Sequence, residues 1–568
     1  MKATGAEIIT TLLERQGVDT VAGIPGGASL PLYDALRTSR IRHVLTRHEQ
    51  GAGYIAQGLA RTTGRAGVCL ATSGPGTTNL VTPVADAKAD SIPLVAITGQ
   101  VPTALIGTDA FQEVDTRALM SPITKWTVQV RRASELLQVL PEAFQHAESG
   151  RPGPVCIDVP KDVLQQTVHF EAWPAPGAPR PAAPLREAEL EAITDAVETA
   201  ACPVLYVGGG VIAAGASDAL RRFARKSSIP VTTTLLGLGA IPADDPLNLG
   251  MLGMHGARHT NLILEEADLL IALGVRFDDR ATGKAAEFCP RARIVHVDID
   301  PSEIGKIRAA RLGVVADVRA ALEALVPRIR NRPRTGWNLR VAELRREHPS
   351  AGYAGRPPMH PVRLLQTLST VMPEDTIVAT DVGQHQMWVA QYYPFRNPRT
   401  LLTSGGLGTM GFGLPAAIGA ALARPGQRIL CVSGDGSLMM NLQELATLAE
   451  QHANVAIVVM NNQHLGLVRQ QQELFCGGRY HATRFESAVD FARIARGFGI
   501  AGVTLDPEGD PGAELAAALA KPGPVVIDAR IDAAENVLPM VPPGAANRET
   551  IEQPPAPLEL PAARTQTA

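Results

Sequence analysis

No CxxC pair occurs among the six cysteines, Cys69, Cys156, Cys202, Cys289, Cys431 and Cys476, which are scattered along the chain. That scatter offers no disulfide framework and reads as reduced, packed thiols of a cytoplasmic protein. Neither sign of charge dominates. The formal net charge is −3, the pI is near 6.5 and no block of like charges stands out, so nothing calls for nucleic acid or an acidic membrane surface. No uncharged apolar stretch of about 18 residues is present to span a bilayer, and no membrane partner is expected. Residues 1–7 enter an amphipathic helix carrying Glu7, Glu14 and Arg15, which suits neither a signal nor a transit peptide. What remains is an ordinary globular composition, 45% hydrophobic and 19% charged, in 568 residues. That length exceeds what one hydrophobic core holds.

Two Pro/Ala-rich stretches, 172–185 and a less pure one over about 328–361, read as linkers. They separate blocks 1–170, 186–327 and 360–547, in which short β-branched runs alternate with helical patterns. This is the signature of three doubly wound, parallel-sheet α/β domains. The first and third blocks could share a fold without sequence similarity. Residues 548–568 are polar and proline-bearing, and are expected to form a flexible tail.

The richest chemistry lies in the third block. The apolar run 429–433 predicts a buried strand that breaks into Gly434-Asp435-Gly436-Ser437. Leu442, Leu445, Leu448 and Ala449 then recur at helical spacing, and 455–460 predicts a second buried strand ending in Asn461-Asn462. Such a βαβ unit sets Asp435 and Asn462 beyond the carboxyl ends of parallel strands. Gly434 and Gly436 let backbone amides approach phosphate, while aspartate and asparagine offer hard oxygens to Mg2+. Gly-Asp-Gly-Ser alone could equally be an ordinary polar turn. The paired asparagines one unit later favour a diphosphate and metal clamp and suggest thiamin diphosphate.

In the first block a strand over 41–45 runs into Thr46-Arg47-His48-Glu49-Gln50-Gly51-Ala52-Gly53 and a helix. Glu49 therefore sits near a helix N-terminus, where the dipole stabilises a carboxylate. An isolated helix-starting acid would usually mean no more than that. A second tight glycine turn, Thr72-Ser73-Gly74-Pro75-Gly76-Thr77-Thr78-Asn79, ends the next strand, and two such loops on adjacent strands make a pocket. In the middle block a strand over 204–207 enters Gly208-Gly209-Gly210. Alone this is weak, since three glycines are not the spaced dinucleotide fingerprint, and a nicotinamide dehydrogenase is disfavoured.

These runs, with Gly107 to Glu113, Arg276-Phe277-Asp278-Asp279-Arg280 and Gly408-Thr409-Met410-Gly411, strongly resemble acetohydroxyacid synthase, also called acetolactate synthase, from about residue 4 to 547. Gly-Asp-Gly-Ser marks thiamin diphosphate enzymes generally, whereas Asp109 to Glu113 and Arg276 to Arg280 point to the flavin-containing biosynthetic branch. The resemblance is closest to catalytic large subunits of the bacterial isozyme I group, including Val541 to Asn547 near the end.

The resemblance implies thiamin diphosphate, Mg2+ and a structural FAD. It also implies that pyruvate loses CO2 and passes a hydroxyethyl unit to a second pyruvate or to 2-oxobutyrate, the first common step of valine, leucine and isoleucine biosynthesis. Glu49 would hydrogen-bond N1′ of the aminopyrimidine and exchange a proton with it. Pro75 and Asn79 are implied as cofactor contacts, and Met410, in the same loop as Gly408, would wedge between the two rings. Gln384 and His385, with Gly434, Gly436 and Ser437, match diphosphate contacts. Asp435, Asn462 and the backbone carbonyl of His464 match the Mg2+ ligands. Gln112 and Lys161 are implied at the reacting end, with Phe111 and Gly27 lining the substrate entrance. Arg276 would receive the carboxylate of the second substrate, and a salt bridge to Asp278 or Asp279 is its ordinary alternative. The FAD contacts implied are Arg151, Gly208, Gly209, Gly210, Met254, His255, Gly274, Asp278, Arg280, Asp298, Ile299 and Asp317. Gln471 stands where many members carry tryptophan. Without an apolar wall worth about 1–3 kcal/mol, little preference between acceptors is expected. The implied assembly is a homodimer or dimer of dimers, with the active site shared between subunits and a separate small regulatory subunit as partner. Pyruvate oxidase chemistry on the same scaffold, or a non-catalytic homologue, are the rival readings, and the presence of Glu49, Asp435 and Asn462 argues against the second.

Overall fold

Strands Pro154–Pro160, Ile429–Gly434 and Val455–Asn461 are buried at every position. That is the mark of parallel strands covered by helices on both faces. The computed structural model, which describes residues 1–350, 352 and 355–553, builds three six-stranded sheets from such strands. Every pairing within them is parallel.

The first sheet runs, in spatial order, Arg42–Leu45, Thr20–Gly23, Gly67–Ala71, Leu94–Gln100, Pro154–Pro160 and Trp126–Gln129. The third runs Leu401–Leu402, Val378–Thr380, Ile429–Gly434, Val455–Asn461, Val525–Arg530 and Ala501–Thr504. Numbered by chain position within each sheet, both read 2-1-3-4-6-5, so the outer domains share one topology. The middle sheet, Asn248–Met251, Val231–Thr233, Pro203–Val207, Leu269–Leu273, Arg293–Asp298 and Leu312–Val315, reads 3-2-1-4-5-6. That is the strand order of dinucleotide-binding folds.

In each sheet the strand order reverses between two neighbouring parallel strands, and ligand crevices of open α/β sheets lie outside the carboxyl ends of such a pair. The pairs here are Thr20–Gly23 with Gly67–Ala71, Pro203–Val207 with Leu269–Leu273, and Val378–Thr380 with Ile429–Gly434. They point, in turn, at the 72–79 loop, at Gly208–Gly210 with Gly274, and at Gln384–His385 with Gly434–Asp435.

The outer domains are packed on each other through helices Glu49–Thr63 and Gly413–Ala423, whose residues belong to one continuous apolar cluster. The approach requires glycine. A Cβ at Gly58 would collide with the carbonyl of Ala416, and one at Gly419 with that of Ile55.

Two parts of the chain differ from the sequence expectation. The stretch 328–361 is not simply a linker, because it contains the helix Thr335–Glu347. Trp337, Val341 and Leu344 recur at helical spacing, are buried against the middle domain, and Trp337 Nε1 donates to the Pro203 carbonyl at 3.0 Å. Residues 548–553, expected within a flexible tail, are held in place. Ile551 pairs with Met540 across an antiparallel bridge, Arg548 pairs with Glu265 and Glu287, and Arg258 meets Glu552 at 2.6 Å. The rest of that tail, 554–568, lies outside the described residues. Among the described residues no helix is long and apolar enough to cross a membrane. All six cysteines are free thiols, four of them buried.

Candidate active site

Glu49 is the first residue of the helix Glu49–Thr63, behind the N-cap His48 whose ring accepts from the Gln50 N–H. Glu49 as a whole is 9% exposed, and its Oε2 accepts from Asn79 Nδ2 at 2.9 Å. Residues 49 and 79 are thus brought together from two loops, at the crevice of the first sheet. In the turn that leads to Asn79, a Cβ on Gly76 would lie 2.9 Å from Thr72 Cγ2, so the close approach of that backbone to the Glu49 carboxylate requires glycine. Pro75 starts the short helix that carries Asn79. Burial, and next the charge of Glu49, push the Tyr33 phenol up, and its hydroxyl is buried without a protein partner.

One residue of this arrangement left no local mark in the sequence. Glu444, fully buried on the third domain, accepts the N–H groups of Arg47 and His48 on Oε1, both at 3.0 Å, and the Thr447 hydroxyl on Oε2 at 2.6 Å. Burial raises its carboxyl above the usual range.

At the third sheet, Asp435 and Asn462 follow adjacent parallel strands in register, as Gly434 pairs with Met460. Asp435 begins the helix Asp435–Leu438, and burial pushes its carboxyl up to about 6. Asn462 Nδ2 donates to Gln384 Oε1 at 3.2 Å, its Oδ1 accepts from the His464 N–H at 3.0 Å, and its carbonyl meets His464 Nδ1 at 2.7 Å. Gln384 also donates from Nε2 to Gln470 Oε1 and to the Glu535 carbonyl. His385 is buried, and desolvation pushes its imidazole down to about 3. Its Nε2 is buried with no protein partner. A Cβ on Gly434 would lie 2.9 Å from His385 Nδ1, and one on Gly436 would meet Leu465 and Phe485. The Ser437 hydroxyl donates to the Val382 carbonyl at 2.9 Å.

Gly408 and Gly411, at φ +70° and +92°, flank the half-buried Met410 in the left-handed region that glycine tolerates. Asp381 secures the segment after it, accepting from the Gly411 N–H at 2.8 Å and the Gly413 N–H at 3.3 Å. Burial pushes Asp381 up to about 6.

In the middle domain, Gly208, Gly210 and Gly274 bring two strand ends into backbone contact. The Gly210 N–H donates to the Gly274 carbonyl at 3.2 Å, and a Cβ on Gly274 would lie 2.7 Å from Gly210 Cα. Gly209 abuts Leu236. Asp298, pushed up to about 6 by burial, ends the next strand and is followed by Ile299. Asp278 and Asp317 both act as N-caps, accepting from Ala281 and Ala320. Met254 is buried, its N–H donates to the Arg280 carbonyl at 2.7 Å, and Arg280 Nη1 stands 3.5 Å from its sulfur. Burial and then Arg280 push His255 down to about 4. The guanidinium of Arg151 is engaged by Glu303 at 2.7 Å and Asp300 at 3.2 Å, and its Nε donates to Ser91.

The remaining residues spread around the mouth. Gln112, at φ +61°, lies against Gly74, where an added Cβ would be 2.9 Å from Gln112 Cα. Phe111 beside it is 88% exposed. Lys161 starts a helix at the carboxyl end of the strand Pro154–Pro160. Gly27 is exposed with nothing near an added Cβ, so no steric need for glycine is visible there. Gln471 is half-buried on the helix Gly466–Phe475. Arg276 forms no ion pair among the described residues; its Nη1 donates to the Ala89 carbonyl at 2.7 Å.

These groups fit the ligands implied by the sequence. An unpartnered buried imidazole nitrogen beside a glycine cradle suits a diphosphate oxygen. A carboxylate, an amide oxygen and a backbone carbonyl are hard oxygens of the kind Mg2+ takes alongside phosphate. The paired glycine turns under a 3-2-1-4-5-6 sheet suit the pyrophosphate of a dinucleotide such as FAD.

Comparison with known families agrees with this geometry. Residues 3–119 match the thiamine pyrophosphate enzyme N-terminal TPP binding domain, 190–325 the central domain and 381–529 the C-terminal TPP binding domain. The chain is 54% identical over 549 residues to the acetolactate synthase isozyme 1 large subunit of Escherichia coli (strain K12), covering 96% of this chain and 97% of that protein. It is 48% identical over 549 residues to the isozyme 2 large subunit of the same strain, covering 97% and 99%. Against acetolactate synthase 1, chloroplastic, of Zea mays it is 46% identical over 566 residues, covering 96% and 88%. With all three domain types in order and this identity over nearly its whole length, the chain belongs to the acetolactate synthase family of thiamine pyrophosphate enzymes.

Proposed function

We propose that this chain decarboxylates pyruvate and joins the two-carbon remainder to a second pyruvate, giving 2-acetolactate, or to 2-oxobutyrate, giving 2-aceto-2-hydroxybutyrate. The observation that carries it is the pairing of a buried Glu49, fixed by Asn79, with a separate crevice bearing Asp435, Asn462 and the unpartnered His385 Nε2, in a chain 54% identical to an acetolactate synthase.

Asp435, Asn462 Oδ1 and the His464 carbonyl would hold Mg2+, while Gln384, His385 and Ser437 would bind the diphosphate and Gly434 and Gly436 would let it approach. Thiamin diphosphate, when bound, supplies the electron sink for the bond to CO2 that breaks. Glu49 exchanges a proton at its carboxyl oxygen with the aminopyrimidine ring, and the Asn79 amide keeps that carboxyl in one orientation. Met410, behind Gly408, would support the bent form of the cofactor between its two rings. Arg276 binds the acceptor carboxylate through its guanidinium fork, which no acid of its own chain occupies among the described residues. Gln112 and Lys161 would act at the reacting end of the substrate entrance, which Phe111, Gly27 and Gln471 would line. Gly208–Gly210 and Gly274 would hold FAD, which would serve as structure, because the proposed reaction has no net oxidation.

The exposed Phe111 loop suits a second copy of the chain completing the site, so a homodimer is the minimum unit. The Escherichia coli relatives bear the name large subunit, which supports a small regulatory subunit as partner. A cytoplasmic location accords with the six free thiols. The test is purified protein with pyruvate, Mg2+ and thiamin diphosphate, assayed for acetolactate with and without FAD. Acetolactate formation that ceases on chelation of Mg2+ is expected. Oxygen uptake matching pyruvate loss, with no acetolactate, would overturn the assignment in favour of an oxidase.

A further inference from the structure

The loop that leads to Met410 is held by acids of another domain. Asp86 and Asp90 lie on the helix Val81–Asp90 of the first domain, 0% and 7% exposed. Asp90 accepts the N–H groups of Gly405 at 3.0 Å and Gly406 at 2.6 Å, one on each oxygen. Asp86 accepts the Ser404 hydroxyl, and that same hydroxyl oxygen accepts the Thr409 N–H at 2.9 Å. Three backbone N–H groups in the six residues before Met410 are therefore fixed, directly or through Ser404, by two carboxylates more than three hundred residues away in sequence.

Both acids share one cation. Arg61 Nη2 lies 2.8 Å from Asp90 and 3.4 Å from Asp86, and is itself 8% exposed. Gln57 Oε1 accepts from it at 2.9 Å, and its guanidinium stands 5.0 Å from the centre of the Phe412 ring, two residues beyond Met410. The loop is thus clasped on both sides of Met410. One residue before Asp90, the Ala89 carbonyl receives Arg276 Nη1 at 2.7 Å. The end of one helix locates both the Met410 loop and the arginine expected to bind the acceptor.

Buried ion networks are poor devices for stability, since the cost of desolvating charge offsets much of the attraction. Such a network is better suited to holding geometry, and Gly405 and Gly406, being exposed and free of side chains, have little packing of their own to do so. We propose that Asp86, Asp90, Arg61 and Ser404 are positioning residues for the acetolactate-forming reaction. They set the Met410 loop of the third domain, and with it the seat of the thiamin ring, from the first domain of the same chain. The inference rests on the proposed contact of Met410 with the cofactor.

The test compares Ser404→Ala, Asp90→Asn, Met410→Ala and the Ser404→Ala/Met410→Ala double variant of the full chain. The readouts are turnover, pyruvate KM and the thiamin diphosphate concentration giving half-activation. Ser404→Ala removes only the oxygen that links Asp86 to the Thr409 N–H, and Asp90→Asn keeps the volume while turning one acceptor into a donor that faces an N–H. Misplacement of a reacting group by about 1 Å costs up to 10²-fold, so each is expected to lower turnover by about tenfold or more and to raise the half-activating cofactor concentration. Pyruvate KM should stay within a factor of about three. In the double variant the loss should be close to that of Met410→Ala alone, because the hydroxyl acts through Met410. If Met410→Ala leaves turnover and cofactor activation unchanged, the proposed Met410 contact and this inference both fail. If Met410→Ala is impaired while Ser404→Ala and Asp90→Asn, folded by circular dichroism, match the parent, the inference alone fails. Losses that simply multiply in the double variant would also overturn it. Should either single variant not fold, the other decides.

Discussion

Glu444 Oε1 receives the N–H of His48, the residue immediately before Glu49, at 3.0 Å, and the N–H of Arg47 at the same distance. The third domain thereby fixes where the helix bearing Glu49 begins. Glu444→Ala would leave two part-buried N–H groups unpaired, a loss of up to about 1–3 kcal/mol for each, and would free the Glu49 end of the helix. Both a lower thermal midpoint and reduced turnover are expected. Glu444→Gln keeps an acceptor oxygen and should retain most of both. Thermal melting together with the acetolactate assay checks the pair, and equal losses in the two variants would remove the role assigned to the acceptor oxygen.

Gly274 has φ +58°, and an added Cβ would lie 2.7 Å from Gly210 Cα. Gly274→Ala therefore pushes apart the two strand ends that form the proposed flavin cradle. The variant is expected to purify with less bound flavin than the parent, read from visible absorbance, while its thiamin diphosphate activation constant changes little. Full flavin content would place FAD elsewhere.

His255 is pushed down to about 4 from 6.5 by burial and by Arg280. A histidine with a depressed folded pKa binds fewer protons folded than unfolded between those values. Its contribution to stability is therefore complete above about 6.5 and is lost as pH falls toward 4. Relative to His255→Asn, the parent should lose thermal stability over that window. Midpoints measured at pH 7.5 and 4.5 would expose the difference, and a constant gap between the two proteins would contradict it.

Gln471 is proposed to line the acceptor pocket with an amide, at the position where many family members carry tryptophan. With both acceptors supplied, preference for 2-oxobutyrate over pyruvate should stay below about tenfold. A larger bias in a competition assay would assign acceptor selection to other residues.

Local sequence pattern carried the strand-turn-helix units well, because apolar runs ending in glycine are set by short-range chemistry. Glu49 at a helix start and Asp435 beyond a strand end fall where periodicity and turn residues put them. What escaped was long-range. Glu444 and Asp90 look like ordinary helix acids, since their partners lie hundreds of residues away. The helix Thr335–Glu347 was hidden by arginines and flanking prolines around a narrow stripe of Trp337, Val341 and Leu344. The 3-2-1-4-5-6 order of the middle sheet carries a stronger dinucleotide signature than its glycines, and strand order is not written in local pattern.

The most direct measurement is the turnover of Glu49→Gln in the presence of saturating Mg2+ and thiamin diphosphate. Loss of a positioned proton-transfer group predicts a fall of about 10²–10⁴-fold, with the protein still folded and still binding Mg2+ and cofactor. Turnover within a few-fold of the parent would contradict the account.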